Sequence, residues 1–362
     1  MKKKAFWCVL APIVFTSTIC HAESSFFSLN EDDNFKRYSI SVGPLHVMPT
    51  GKAQAPKINT SIKEGTVVKN GDIALREVIP RLTEDNSALI KLALNVLNIG
   101  GNGTLPDALS GTSEVRGVES WVNHGAGMEA ESLTTLGMMI NYHFNDNISF
   151  ESKLGIPPKV DIKGVGQIKA PFKATSTIAI GDIKLDGLPI YIEDDLDITD
   201  LESHKGSVAT ARAWTPMWEL QYHFGQTGVN KFRPYVGLGL VVAYFNELEL
   251  NPSLAKDLID SGHQIANMKN GKAGDALIKG KKSSADPKID LKAKISFAPI
   301  ATLGFTYDFN PNWFAVASIS YSHLSSTTTI KVVDDKLGTL YYSDIDLEVN
   351  PIVGYAGVGY RF

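Results

Sequence analysis

Between Leu133 and Phe144 the apolar residues Leu136, Met138, Ile140, Tyr142 and Phe144 share one parity, while Thr135, Gly137, Asn141 and His143 share the other. A period of two is the period of a strand, whose side chains point alternately to its two faces, so the segment predicts a strand with one apolar and one polar face. Asn145-Asp146-Asn147 follows, built of residues that favour tight turns. It leads into Ile148, Phe150, Leu154 and Ile156, alternating with Ser149, Glu151, Lys153 and Gly155. The two segments predict a hairpin with a short turn.

The figure returns twice. Trp214, Trp218, Leu220, Tyr222 and Phe224 alternate with Glu219, Gln221 and His223, and Val236, Leu238, Leu240, Val242 and Tyr244 alternate with Gly237 and Gly239. Then Ile295, Phe297, Leu303, Phe305, Tyr307 and Phe309 turn at Asn310-Pro311-Asn312 into Trp313, Ala315, Ala317, Ile319 and Tyr321, set against Ser318, Ser320 and Ser322. An opening strand near Arg37 to Val47 and a closing strand near Asp344 to Phe362 bring the predicted count to eight, an even number as a closed bacterial barrel has. In the closing segment the parity slips at Pro351, which predicts a bulge there.

The turns after Phe144, Phe224 and Phe309 are short, whereas the connections at about 49–130, 165–207, 250–287 and 331–343 are long. Short turns at one end and long loops at the other are the arrangement of a transmembrane barrel, with the short end periplasmic. Tyr142, Phe144, Tyr222, Phe224, Phe232, Tyr307, Phe309 and Trp313 cluster where strands meet the short turns and read as an aromatic girdle. A soluble β-sandwich also has short alternating strands, but it does not account for aromatic-ringed apolar faces on every strand. The expected fold is therefore all-β, an eight-stranded antiparallel transmembrane β-barrel with long extracellular loops. The first long connection carries Ser87 to Leu97, a helical pattern with Asn86 near its start and Gly100-Gly101 as its stop, expected to bury its leucines against the loop.

Lys2, Lys3 and Lys4 precede an apolar run from Ala5 to Ile19 and the sequence Cys20-His21-Ala22. This predicts a secretory signal peptide over residues 1–22, cleaved after Ala22, and a mature barrel over 23–362 in the cell outer membrane of a Gram-negative bacterium. Ile19 before Cys20 argues against a lipoprotein, whose cysteine usually follows a small residue. Both cysteines lie in the signal, which removes disulfide and thiol chemistry from the mature chain. Without its three lysines the chain keeps 32 basic against 39 acidic residues, a formal net charge of −7. Nucleic-acid binding, which calls for a basic face, is not expected.

Pro216 to Phe224, the run Lys231-Phe232-Arg233-Pro234-Tyr235-Val236-Gly237-Leu238-Gly239, Asp146-Asn147-Ile148 with Glu151, and the ending Gly357-Val358-Gly359-Tyr360-Arg361-Phe362 resemble the OmpW family of outer-membrane proteins. The likeness spans the eight strands and not the long loops. It implies a narrow barrel that passes small, often hydrophobic, molecules and releases them sideways into the membrane. The family's lumen is closed by apolar side chains on the third and seventh strands. The matching positions here are Lys153 and Ser320, a departure from that pattern. The resemblance also implies outer-membrane lipid and lipopolysaccharide as surroundings, a small-molecule solute, and recognition by the barrel assembly machinery through the terminal Phe362.

Glu151, Lys153, Glu219, His143, His223, Asp308 and Arg361 fall on the inward parity. Two readings stand: a charged lumen that selects what passes, or a plug of ion pairs filling a small barrel. Buried charges must pair in either case, and Glu151 is expected to pair with Lys153 or Arg361. The lumen and constriction residues are thus Lys153, Ser320, Glu151, Glu219 and Arg361, with no cofactor and no metal. His143 and His223 lack a carboxylate at ligand spacing and read as packing. The acidic run Glu193 to Asp200 lacks the glycine and glutamate of an EF-hand and reads as a solvated outer loop. Ser322 or Ser325 beside His323 is the one arrangement that invites a catalytic reading, but serines are common in such strands, and no enzyme is expected. Two functions remain: a channel or carrier for small molecules, and a structural or adhesive surface barrel acting through its long loops.

Overall fold

The computed structural model describes residues 36–180, 183–204 and 206–362, with the side chains of 178–188 left aside. The expected signal peptide lies outside the described residues. Among these, eight strands close into a ring: β1 (Tyr38–Met48), β2 (Leu133–His143), β3 (Ile148–Gly155), β4 (Met217–His223), β5 (Phe232–Leu250), β6 (Ser296–Asp308), β7 (Trp313–Ser322) and β8 (Ile352–Arg361). The order is β4-β3-β2-β1-β8-β7-β6-β5, with β5 returning to β4, and every pairing is antiparallel. Closure leaves no edge whose backbone N–H and C=O groups would face lipid unpaired.

The alternation in the sequence maps onto the two faces of this ring. Leu136, Ile140, Leu220, Leu238, Leu303 and Ile319 stand outward and exposed, where the surrounding solvent is hydrocarbon. Tyr142 meets Tyr38 and Phe144, Tyr222 meets Phe224, Phe232 meets Phe305, and Trp313 meets Tyr360, with ring centroids 5.1–5.2 Å apart near the short turns. These pairs form the girdle.

The closing segment differs from its expectation. The chain does not bulge at Pro351 but leaves one sheet for another. Gly338–Glu348 pairs with Ser325–Asp334 and Lys57–Thr60 outside the barrel, and β8 begins at Ile352. Asn350 takes a positive φ of 38° at the break, and Pro351 has no N–H for a ladder to use.

The long connections fold rather than lie open. Ala209–Trp214, Lys159–Val165 and Gly127–Ala130 extend the upper half of β5 as a curtain above the ring. A five-stranded and a four-stranded sheet, together with helix α1 (Ala88–Leu97) and helix α2 (Pro252–Lys269), complete an extracellular cap. It has its own core, in which Val115, Val208, Leu254, Val332 and Leu340 are fully buried. The acidic run Glu193 to Asp200 belongs to a strand, not to a loop. Ile192 and Leu196 face this core while Glu193 and Asp197 pair with Lys173 and Lys169 across the hairpin. Helix α1 starts at Ser87, whose hydroxyl accepts from Ile90 N–H. It buries Ile90 and Leu94, but Leu89 and Leu92 remain exposed, because its neighbours cover a single stripe of its surface.

Candidate functional site

Inside the ring the inward parity is polar, and its charges form two layers. In the upper layer Lys153 on β3 stands between two carboxylates, with Nζ 3.5 Å from Glu151 Oε1 and 3.4 Å from Glu219 Oε1. The same ammonium donates to Ser320 Oγ on β7 at 3.2 Å, and Ser320 in turn bonds Thr302 at 2.7 Å. Asn141 donates to the second oxygen of Glu151 at 3.1 Å. Glu219 fits because the facing strand is bare of side chains there: a Cβ on Gly237, the ladder partner of Gln221, would lie 2.6 Å from Glu219 Oε2. Lys153 and Ser320, the two positions expected to close the lumen, meet across the barrel.

The lower layer lies toward the short turns. Arg361 pairs with Asp308 at 2.8 Å and lies 4.4 Å above the Phe314 ring. The expected Glu151–Arg361 alternative is therefore corrected: parity assigns a face but not a height, and Asp308 is the carboxylate at the height of Arg361. Arg233 donates to Thr227 Oγ1 at 2.7 Å and to the carbonyls of Asp146 and Gly225, tying two short turns together beneath the lumen. Arg233 and Tyr235 escaped the candidate set, although the outward parity of Val236 and Leu238 already assigns both to the interior.

The His143 and His223 rings lie 5.3 Å apart, and His223 bonds Ser149 Oγ at 2.9 Å and packs on Tyr235. Among the described residues no three metal-ligating side chains converge. Ser322 donates to the carbonyl of Pro299 and points inward, whereas His323 is exposed on the opposite face, so the catalytic arrangement is not assembled.

Three carboxylates and three cations thus occupy the lumen, all of them buried. Between the layers remains a void of about 10 Å³, room for no more than a water molecule. An eight-stranded barrel is only just wide enough for its own side chains, and here they fill it.

Above Lys153 the interior opens. A cavity of about 100 Å³ rises from Lys153 and Ser322 into the cap, walled by apolar residues such as Leu45, Val241, Phe245, Leu324 and Val353. A smaller void continues it between the curtain and the five-stranded sheet, the two sharing Ile162, Leu248, Thr328 and Leu347 in their walls. The barrel wall beside this cavity is interrupted. The β3–β4 ladder ends at Lys153↔Met217, and pairing resumes only where Ala213 N–H reaches the carbonyl of Pro158. Pro157, Pro158 and Pro216 border the gap and have no N–H to bridge it. Gly155 and Ile156 line the cavity and are also exposed, so the cavity reaches the outside there.

A closed eight-stranded barrel with an apolar, aromatic-ringed exterior and a polar core is an outer-membrane β-barrel protein. Comparisons with known proteins narrow this class. The OmpW family model matches residues 107–260. Outer membrane protein W of Vibrio cholerae is 26% identical over 241 residues, covering 67% of this chain and 79% of that protein. Outer membrane protein W of Salmonella typhi is 26% identical over 157 residues, covering 43% of this chain and 57% of that one. Over these segments the chain is similar to the OmpW family of outer-membrane proteins. Among solved structures, the outer membrane protein OprG from Pseudomonas aeruginosa aligns with a TM-score of 0.46 at 15% identity, over 90% of this chain and 96% of that one.

Proposed function

We propose that this protein carries small apolar molecules into the outer membrane by a route that bypasses the lumen. The molecule enters the cavity above Lys153 and leaves sideways through the gap in the wall at Gly155 and Ile156. The observation that carries this reading is the interrupted ladder between β3 and β4 beside an apolar cavity. Unpaired backbone at membrane depth is tolerated only where it lines a cavity or is covered by protein, so a gap bordered by three prolines is a feature the fold must accommodate. Trp214 and Trp218 stand exposed beside it, and tryptophan favours the level of the lipid headgroups. A solute leaving there passes directly into the leaflet.

The test uses liposomes with lipopolysaccharide in the outer leaflet and follows entry of a small apolar fluorophore. The wild-type protein raises the entry rate, and the Gly155→Trp, Ile156→Trp double variant returns it to the protein-free value. An unchanged rate in that variant, with the barrel intact, rejects the sideways route.

A surface-attachment role has one observation in its favour: α1 leaves Leu89, Leu92, Val96 and Leu97 exposed on the cap. Replacing these four by serine lowers attachment to a hydrophobic surface under that reading and leaves solute entry unaltered.

A further inference from the structure

The floor of the cavity has an unusual polar character. Lys153 is the cation that lines it, but three oxygens already surround Nζ within 3.5 Å, those of Glu151, Glu219 and Ser320. An ammonium has three N–H donors; two go to Glu219 Oε1 and Ser320 Oγ, and Glu151 Oε1 stands 3.5 Å away as a further ion-pair partner. Two carboxylates face one ammonium. Whether both are ionised or one holds a proton, this cluster is negative or neutral and never positive. Glu151 Oε1 and Glu219 Oε2 are both buried with no hydrogen-bond partner, which adds two unanswered acceptors just beneath the floor. The other charged residue on the lining is Glu131, whose carboxylate is engaged by Lys163.

Three of the hydroxyls around the cavity follow the same rule. Five hydroxyl-bearing side chains line it, and three of them donate to backbone carbonyls: Thr135 to Ile156, Ser322 to Pro299 and Ser326 to Lys294. With their hydrogens committed, these three oxygens offer a ligand only lone pairs. The polar sites in an otherwise apolar space therefore lean strongly toward acceptors.

We propose that the cavity selects apolar molecules whose polar end is a neutral or cationic hydrogen-bond donor, such as a primary alcohol or amine, and rejects those that end in a carboxylate. This rests on the cavity being the solute path. An alcohol or ammonium finds acceptors at the floor. A carboxylate is acceptor-only; at Lys153 it meets a cation already paired with two carboxylates, in a cluster that is neutral or of its own sign. Removing a buried polar group from water without a partner is unfavourable, so the wrong head is excluded by what the floor lacks.

The experiment compares three ligands of one chain length, 1-octanol, octylamine and octanoate, at about pH 8, where a carboxylate is fully ionised. Binding to the protein in phosphatidylcholine nanodiscs is measured by calorimetry against empty discs. Octanol and octylamine are expected to bind at least about tenfold more tightly than octanoate, a ratio equivalent to about 1.4 kcal/mol. In the Glu151→Gln, Glu219→Gln double variant the floor becomes cationic, and octanoate is expected to gain at least about tenfold while octylamine weakens. The wild-type series decides the matter even if that variant does not refold. Equal affinities for the three heads, or tighter octanoate, overturn the selectivity and leave the cavity as a path. Absence of binding by all three overturns the path together with the selectivity.

Discussion

Lys153 Nζ and Ser320 Oγ lie 3.2 Å apart, joining β3 to β7 through the middle of the barrel across 167 residues of sequence. Where the resemblance implied an apolar closure, this chain closes its lumen with a hydrogen bond inside an ion cluster. The consequence is a plug whose parts depend on each other, because each charge is removed from water and stabilised by the rest.

That dependence gives the first prediction. Lys153→Met leaves Glu151 and Glu219 buried without their cation, and breaking a buried pair from one side costs about 3–5 kcal/mol. The triple variant Lys153→Met, Glu151→Gln, Glu219→Gln removes the charges together and is expected to recover most of the loss. Urea unfolding in lipid vesicles measures both. A single variant as stable as wild type contradicts the mutual dependence.

A second prediction separates the two layers. A double-mutant cycle with Asp308→Asn and Arg361→Gln is expected to show a coupling of about 0.5–3 kcal/mol, as residues in one ion pair do. The corresponding cycle with Glu151→Gln and Arg361→Gln is expected to show a smaller coupling, since Arg361 is paired with Asp308. Larger coupling to Glu151 than to Asp308 reverses the assignment.

The cap responds to acid through His263 on α2. Its Nδ1 accepts from Ser283 N–H at 3.2 Å, and burial holds its pKa below the ordinary histidine value. The unfolded chain therefore takes up a proton at higher pH than the folded cap does, and folding stability falls as pH drops through the window below about 6.5. His263→Gln is expected to flatten that slope. Hydrogen exchange of the α2 amides across pH 7 to 5 measures it, and an equal slope in the variant assigns the acid response to other groups.

The barrel was legible from the sequence because hydrocarbon outside and packed polar groups inside impose a different demand on each successive residue. Strands such as Leu133–His143 and Trp313–Ser322 carry that demand along their length. Heights within the lumen were not legible: parity placed Arg361 and Glu151 inside, but only the stagger of neighbouring strands brings Asp308 to Arg361. The break at Pro351 looked like a bulge because two strands of different sheets abut there with a slipped parity, which is also how a single bulged strand reads. The folded cap was hidden because its strands pair over long separations. In Glu193 to Asp200 the acidic face outweighed the few apolar residues, Leu196 and Ile198 with Ile192 just before them, that mark a strand. The cavity depends on where three prolines stop two ladders, a coincidence between chain segments about 60 residues apart that no local pattern reports.

The central claim is that the lumen is closed at Lys153 and Ser320 and that solutes pass beside it. Ion conductance of the refolded protein in a planar lipid bilayer tests this most directly, with the Lys153→Leu, Ser320→Trp double variant alongside. The plugged lumen predicts no steady ion current from either protein. A steady wild-type current that the double variant abolishes contradicts the account, since it places an aqueous path through the residues that close the barrel.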